Sequence, residues 1–143
     1  MTSRYRKLVV GGGRISDYPT PKSGELALNI QREVKPHVVG DIFRAPFKSE
    51  CFEHIVFERF AWTDLLDSRP NGIEVAHRLM KVGGKLVILT GVAPLGNLIP
   101  ELETHGFLIE TLEIGVEKCD YLVFCHNEWI NPGGVYIRAV KVD

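Results

Sequence analysis

Short apolar runs separated by polar, glycine-rich stretches recur along the chain, and their spacing predicts strands alternating with helices. Leu8-Val9-Val10, bounded by Gly11-Gly12-Gly13, has the form of a buried parallel strand ending in a glycine turn. Leu26-Ala27-Leu28-Asn29-Ile30 reads as a second strand. His37-Val38-Val39 gives a very short third that closes on Gly40-Asp41, and Ile55-Val56-Phe57 gives a fourth, flanked by charge. Between Ser68 and Met80, the residues Ile73, Ala76, Leu79 and Met80 fall at helical spacing, with Pro70 in the first turn and Asn71 and Glu74 spaced as a capping box. This predicts a helix stopped by Gly83-Gly84. Leu86-Val87-Ile88-Leu89 is the strongest strand signal; a loop with Pro94, Gly96 and Asn97 follows, then a short helix from about Pro100 to His105, stopped by Gly106.

After Gly106 the pattern changes. Three β-rich stretches (107–114, 121–125 and 135–142) follow one another with turn-like connections, which implies antiparallel pairing. The expected fold class is therefore α/β: a Rossmann-like, mostly parallel sheet with antiparallel C-terminal strands. Residues Arg14 to Gly24 contain Pro19 and Pro21, a loop composition that cannot hold a full helix. The last stretch, Val135 to Val142, is expected to expose a sheet edge that invites homo-oligomer pairing.

Length and charge narrow the reading. A chain of 143 residues buries enough surface for one core and leaves no room for a second, so a single domain spanning 1–143 is expected. With 17 Lys and Arg scattered against 18 Asp and Glu, nothing advertises a nucleic-acid groove or a membrane surface. Cys51, Cys119 and Cys125 are odd in number and lack CxxC spacing, which disfavours disulfides and zinc fingers and fits a reduced, cytoplasmic setting. The apolar stretch behind the basic start is too short for a signal peptide or a membrane span. No metal is expected, because the five histidines lack spacing such as HExxH.

In an open α/β sheet, ligands bind beyond the carboxyl ends of the parallel strands, where strand order reverses. There this chain places Gly11, Gly12 and Gly13 after strand 1, Asn29 and Ile30 after strand 2, Asp41 and Ile42 after strand 3, and Glu58, Arg59 and Phe60 after strand 4. These ends offer close backbone approach, a side-chain amide, a carboxylate beside an apolar residue, and a charged pair with an aromatic. Such a set suits a nucleoside: polar groups for the ribose, a carboxylate for an exocyclic amine, apolar faces for the base.

The order and spacing of "KLVVGGG", "LALNIQREVKPHVVGDIFRAPF", "CFEHIVFERF" and "HRLMKVGGKLVILTG" resemble the class I S-adenosylmethionine-dependent methyltransferases from about Lys7 to about Thr90. The resemblance implies S-adenosylmethionine as cofactor, with Gly11, Gly12 and Gly13 at its methionine part, Asn29 at the ribose, Asp41 and Ile42 at the adenine, and Ile30 also among the cofactor-binding residues. Glu58, Arg59 and Phe60 would face the acceptor, a small molecule or protein, and no residue is singled out as catalytic. Methyl transfer from a sulfonium is an in-line displacement to which a protein mainly contributes proximity and alignment.

Departures from the family pattern carry weight. Asn29 stands where an acidic residue usually binds the ribose hydroxyls, and the proline-containing loop replaces the first helix, so a minimal class I fold lacking that helix is expected. Val82 replaces the proline common before the double glycine, and Glu53 the aspartate before strand 4. Taken alone, three glycines make a flexible turn. They fail the GxGxxG fingerprint at Ser16. Asp41 alone caps a turn, and Glu58-Arg59 alone is a surface ion pair. A methyltransferase-like interaction module that has lost catalysis is the alternative function.

Overall fold

The computed structural model describes residues 6–11, 25–29, 38–44, 47–58, 65–67, 70–90, 95–114 and 135–143. Among them, seven strands form one sheet: β1 (Lys7–Val10), β2 (Glu25–Asn29), β3 (Val38–Val39), β4 (Phe52–Glu58), β5 (Met80–Thr90), β6 (Phe107–Ile114) and β7 (Val135–Lys141), in the order β3-β2-β1-β4-β5-β7-β6. The first five pair in parallel, and β7 lies antiparallel between β5 and β6. The α/β class with a mostly parallel sheet and antiparallel C-terminal pairing is thus observed. Among the elements described in full, two helices accompany it, α1 (Gly72–Leu79) and α2 (Leu95–Thr104), with a 3-10 turn at Ile42–Arg44.

One face of the sheet carries the main core. Leu8 and Val10, Ile55 and Phe57, Leu86 and Ile88, and Ile137 and Ala139 alternate along their strands and meet Ile73, Ala76 and Leu79 of α1 and Leu98 and Leu102 of α2. Ile55, Leu86 and Ile88 are wholly buried, and each such side chain contributes about 1.5–3 kcal/mol. The capping box at the start of α1 forms as its spacing predicts: Asn71 Oδ1 accepts from the Glu74 N–H at 2.9 Å, and Glu74 accepts from the Asn71 N–H at 3.3 Å.

Three expectations are corrected. The helix ends at Leu79, not at Gly83-Gly84. Those glycines lie inside β5, where the residues 81–84 bulge opposite Glu53. A Cβ at Gly84 would lie 2.9 Å from the Glu53 carbonyl oxygen, so the bulge admits only glycine there. The stretch with Gly96 and Asn97 belongs to α2, which begins at Leu95 and runs through Pro100. An interior proline costs about 3 kcal/mol, which burial of Leu98 and Leu102 offsets. Val135 to Val142 is no edge: β7 is paired on both sides, because its apolar face fills the core between β5 and β6, and the edge strand is β6. The stretches 12–24 and 121–125, and with them the question of the first helix, lie outside the described residues.

Candidate functional site

Strand order reverses between β1 and β4, since β2 and β3 lie on one side of β1 while β4 and β5 lie on the other. The crevice expected of an open α/β sheet therefore opens over the carboxyl ends of β1 and β4. The ladder register sets what borders it. Asn29 pairs with Val39 and Glu58 with Leu89. Val10 pairs with both Leu28 and Phe57, so Gly11 continues the register beside Asn29 and Glu58. Val39, Asn29, Gly11, Glu58 and Leu89 thus form one row across five strands. At about 4.8 Å per strand it is some 19 Å long, enough to lay a nucleoside and a small acceptor side by side.

Gly11 turns the chain out of β1. Its φ of 80° lies in the left-handed region that favours glycine, and its N–H donates to the Leu28 carbonyl at 3.1 Å, tying the turn to β2. Two residues past Val39, Asp41 is half-buried. One of its carboxylate oxygens accepts from the Phe43 N–H at 2.9 Å, and its carbonyl accepts from the Arg44 N–H at 3.0 Å, closing the 3-10 turn. The capping role read from sequence is thus present. It occupies one oxygen and fixes the carboxylate's direction, while a carboxylate has acceptor capacity on both. Ile42 is 3% exposed and packs into the core as the floor of this turn, with Phe43 against it.

Of the residues singled out in the sequence, Gly11, Asp41 and Ile42 are described in full. Asn29 and Glu58 are placed by their backbone at the ends of β2 and β4. Gly12, Gly13, Ile30, Arg59 and Phe60 lie outside the described residues. Sequence reasoning passed over Thr90, the last residue of β5. It is 2% exposed, stands on the Leu86 and Ile88 face by alternation, and its hydroxyl has no hydrogen-bond partner among the described residues. Native interiors rarely leave a buried hydroxyl unpaired, and this one stands at the carboxyl rim, one row beyond Leu89. Its place directly after the Leu86-Leu89 run was the only signal. A second group, Glu74, Glu101 and His105, gathers between α1 and α2; ligands from two separate helices follow no local spacing motif.

No protein-family model matches the chain, and no curated protein matches it in sequence. Solved structures do resemble it. An S-adenosylmethionine-dependent methyltransferase from Mesorhizobium loti superimposes with a TM-score of 0.65 at 12% identity, over 97% of this chain and 92% of that one. A TehB-like methyltransferase from Corynebacterium glutamicum gives 0.63 at 22% identity, over 99% and 83%. Phosphoethanolamine N-methyltransferase 2 from Haemonchus contortus, in complex with S-adenosyl-L-methionine, gives 0.63 at 14% identity, over 100% of this chain and 50% of that one. Among the described residues no helix is long and apolar enough to cross a membrane. Sheet order, the single reversed strand β7 and near-complete superposition agree: the chain has the fold of the class I S-adenosylmethionine-dependent methyltransferases.

Proposed function

We propose that the chain, as a single domain, binds S-adenosylmethionine over the carboxyl ends of β1 to β3 and transfers its methyl group to an acceptor held over β4 and β5. The observation that carries this reading is the row at the switch point, with the Gly11 turn at its centre and the Asp41-capped turn at one end. The donor set fits the cofactor: backbone at Gly11 for the methionine part, the Asn29 amide with Ile30 for the ribose, and the Asp41 carboxylate over the Ile42 floor for the adenine. Gly12 and Gly13 are assigned to the methionine part with Gly11. When bound, the cofactor supplies an electrophilic methyl group. Glu58, Arg59, Phe60 and the buried Thr90 hydroxyl orient the acceptor, and alignment is the main contribution asked of them.

Calorimetry with S-adenosylmethionine and S-adenosylhomocysteine tests the reading. Binding is expected, and Asp41→Ala should weaken it by about 1–3 kcal/mol, the cost of leaving a buried ligand donor unpaired. Asn29→Asp should strengthen it, because a carboxylate accepts charge-assisted bonds from ribose hydroxyls. Absence of heat and of any thermal shift at millimolar ligand would favour the second reading, a methyltransferase-like interaction module. Asn29 in the usual acidic position is the observation on its side.

A further inference from the structure

Three side chains that the crevice does not use meet between the two helices. Glu101 stands in the last turn of α2 and His105 directly after its end, four residues on and on the same face, and Glu74 reaches them from the first turn of α1. His105 Nε2 lies 3.1 Å from a Glu101 oxygen and 3.9 Å from a Glu74 oxygen, and one ligand atom from each residue falls within 4.8 Å of the other two. All three are half-buried. The last turn of α2 leads into Phe107, which pairs with Lys141 near Lys85 in β5. The group therefore stands away from the carboxyl ends of the parallel strands.

Zinc takes imidazole nitrogen and carboxylate oxygen at about 2.0–2.1 Å in a tetrahedron, which sets its ligand atoms about 3.3 Å apart. The separations of 3.1 and 3.9 Å bracket that edge. Asn71, wholly buried, donates its side-chain amide to the Glu101 carboxylate and holds it in place, as outer-shell partners hold metal-binding carboxylates. The capping bond from the Asn71 N–H restrains Glu74 in the same way. Two carboxylates this close favour a positive charge between them, and either a proton on His105 or a divalent cation supplies it.

We propose that Glu74, Glu101 and His105 bind a zinc ion, with water in the fourth position, and that the ion ties the first turn of α1 to the last turn of α2. The competing account is a proton held between His105 and Glu101. The proposal does not depend on the methyltransferase reading, and neither falls with the other.

The test is titration of zinc chloride into the metal-free full chain, followed by calorimetry and thermal unfolding, with Co2+ as a visible-absorption probe of tetrahedral geometry. One equivalent should bind, and zinc at 100-fold above its dissociation constant should raise the unfolding midpoint by about 5 °C or more. Glu101→Gln and Glu74→Gln keep an oxygen to accept from Asn71, so folding persists, and each should lower zinc affinity at least about tenfold, the least effect typical even of outer-shell partners. His105→Ala should abolish the Co2+ bands. Absence of saturable zinc binding, or equal binding by Glu101→Gln and His105→Ala, would overturn the proposal and leave a proton-bridged clamp between helices.

Discussion

The two ends of the sheet treat buried polar groups in opposite ways. Near the amino ends of the parallel strands, Lys141 is only 5% exposed, and its ammonium donates to the carbonyls of His77 and Met80 at 2.7 and 2.8 Å. It closes the C-terminus of α1, where helix carbonyls lack partners and a positive charge complements the dipole. At the carboxyl ends, Thr90 is as deeply buried, yet its hydroxyl is unpaired among the described residues. Gly11 there takes a left-handed conformation, and the Asp41 carboxylate is held by a single backbone bond at one oxygen. At the amino end the buried ammonium is paired within the protein; at the carboxyl end the buried Thr90 hydroxyl has no partner among the described residues. A ligand site needs such groups, and the fold tolerates their cost where the opposite end compensates.

The largest effect that tests this contrast is at Lys141. Lys141→Met keeps the apolar stem but leaves the His77 and Met80 carbonyls without their charged donor. Each charge-assisted bond is worth about 1.5–3 kcal/mol. After allowing for relief of the buried charge, a loss of about 3 kcal/mol is expected by denaturant unfolding. A change near zero would show that the amino end does not depend on this pairing, and the contrast would lose its first term.

Much of this polarity was legible in the sequence, because strands bounded by Gly11 and by Gly40-Asp41, and the capping box at Asn71 and Glu74, act through neighbours in the chain. Periodicity found β1, β2, β4 and the helical face of Ile73, Ala76 and Leu79 for the same reason. Long-range effects were not legible. Nothing local says that β7 inserts between β5 and β6, since antiparallel pairing fits an edge and an interior strand equally. Gly83-Gly84 looked like a helix stop because glycine permits both a C-cap and a bulge, and the deciding neighbour, Glu53, is far away in sequence. Within the site, Asp41 and Gly11 announced themselves by position. Thr90 did not, because an unpaired hydroxyl is visible only when its surroundings are known.

A smaller effect concerns His54, near the amino end of β4. The ladder sets it between Lys7 on β1 and Lys85 on β5. Burial, then the positive charges of Lys7, Arg138 and Lys85, lower its pKa from the ordinary 6.5 to about 4. The unfolded chain takes up this proton first as pH falls, so the stability is intact above about pH 6.5 and lost progressively between 6.5 and 4. Discounted for partial exposure, the loss is roughly 2 kcal/mol. The Glu110 carboxyl is held low by its hydrogen bond from Lys85, and its contribution is also lost as pH falls toward the acid end of this range, so the His54 variant and not the slope alone isolates the histidine. Unfolding free energy measured from pH 7 to 4 should show the decline, and His54→Gln should flatten it. An unchanged slope in that variant would move the acid sensitivity elsewhere and remove a cost assigned to the paired end.

The smallest effect has the opposite sign. Thr90→Val replaces a buried hydroxyl by a methyl group of nearly the same size, in a strand position that favours β-branched residues. If the hydroxyl is unpaired in the free protein, its removal ends a desolvation cost and stabilises the fold by about 1 kcal/mol, or roughly 3 °C in unfolding midpoint. The same replacement at a hydroxyl with a protein partner would lower the midpoint. Lys141→Met and Thr90→Val, measured together, therefore read the two ends directly: loss at one, gain at the other. A lowered midpoint for Thr90→Val would mean that the hydroxyl has found a partner within the protein, and the carboxyl rim would then be as complete as the amino end. Serine at this position supplies the control. Thr90→Ser keeps the hydroxyl and gives up a buried methyl group, so it should destabilise, and the two variants together separate the hydroxyl's contribution from that of packing.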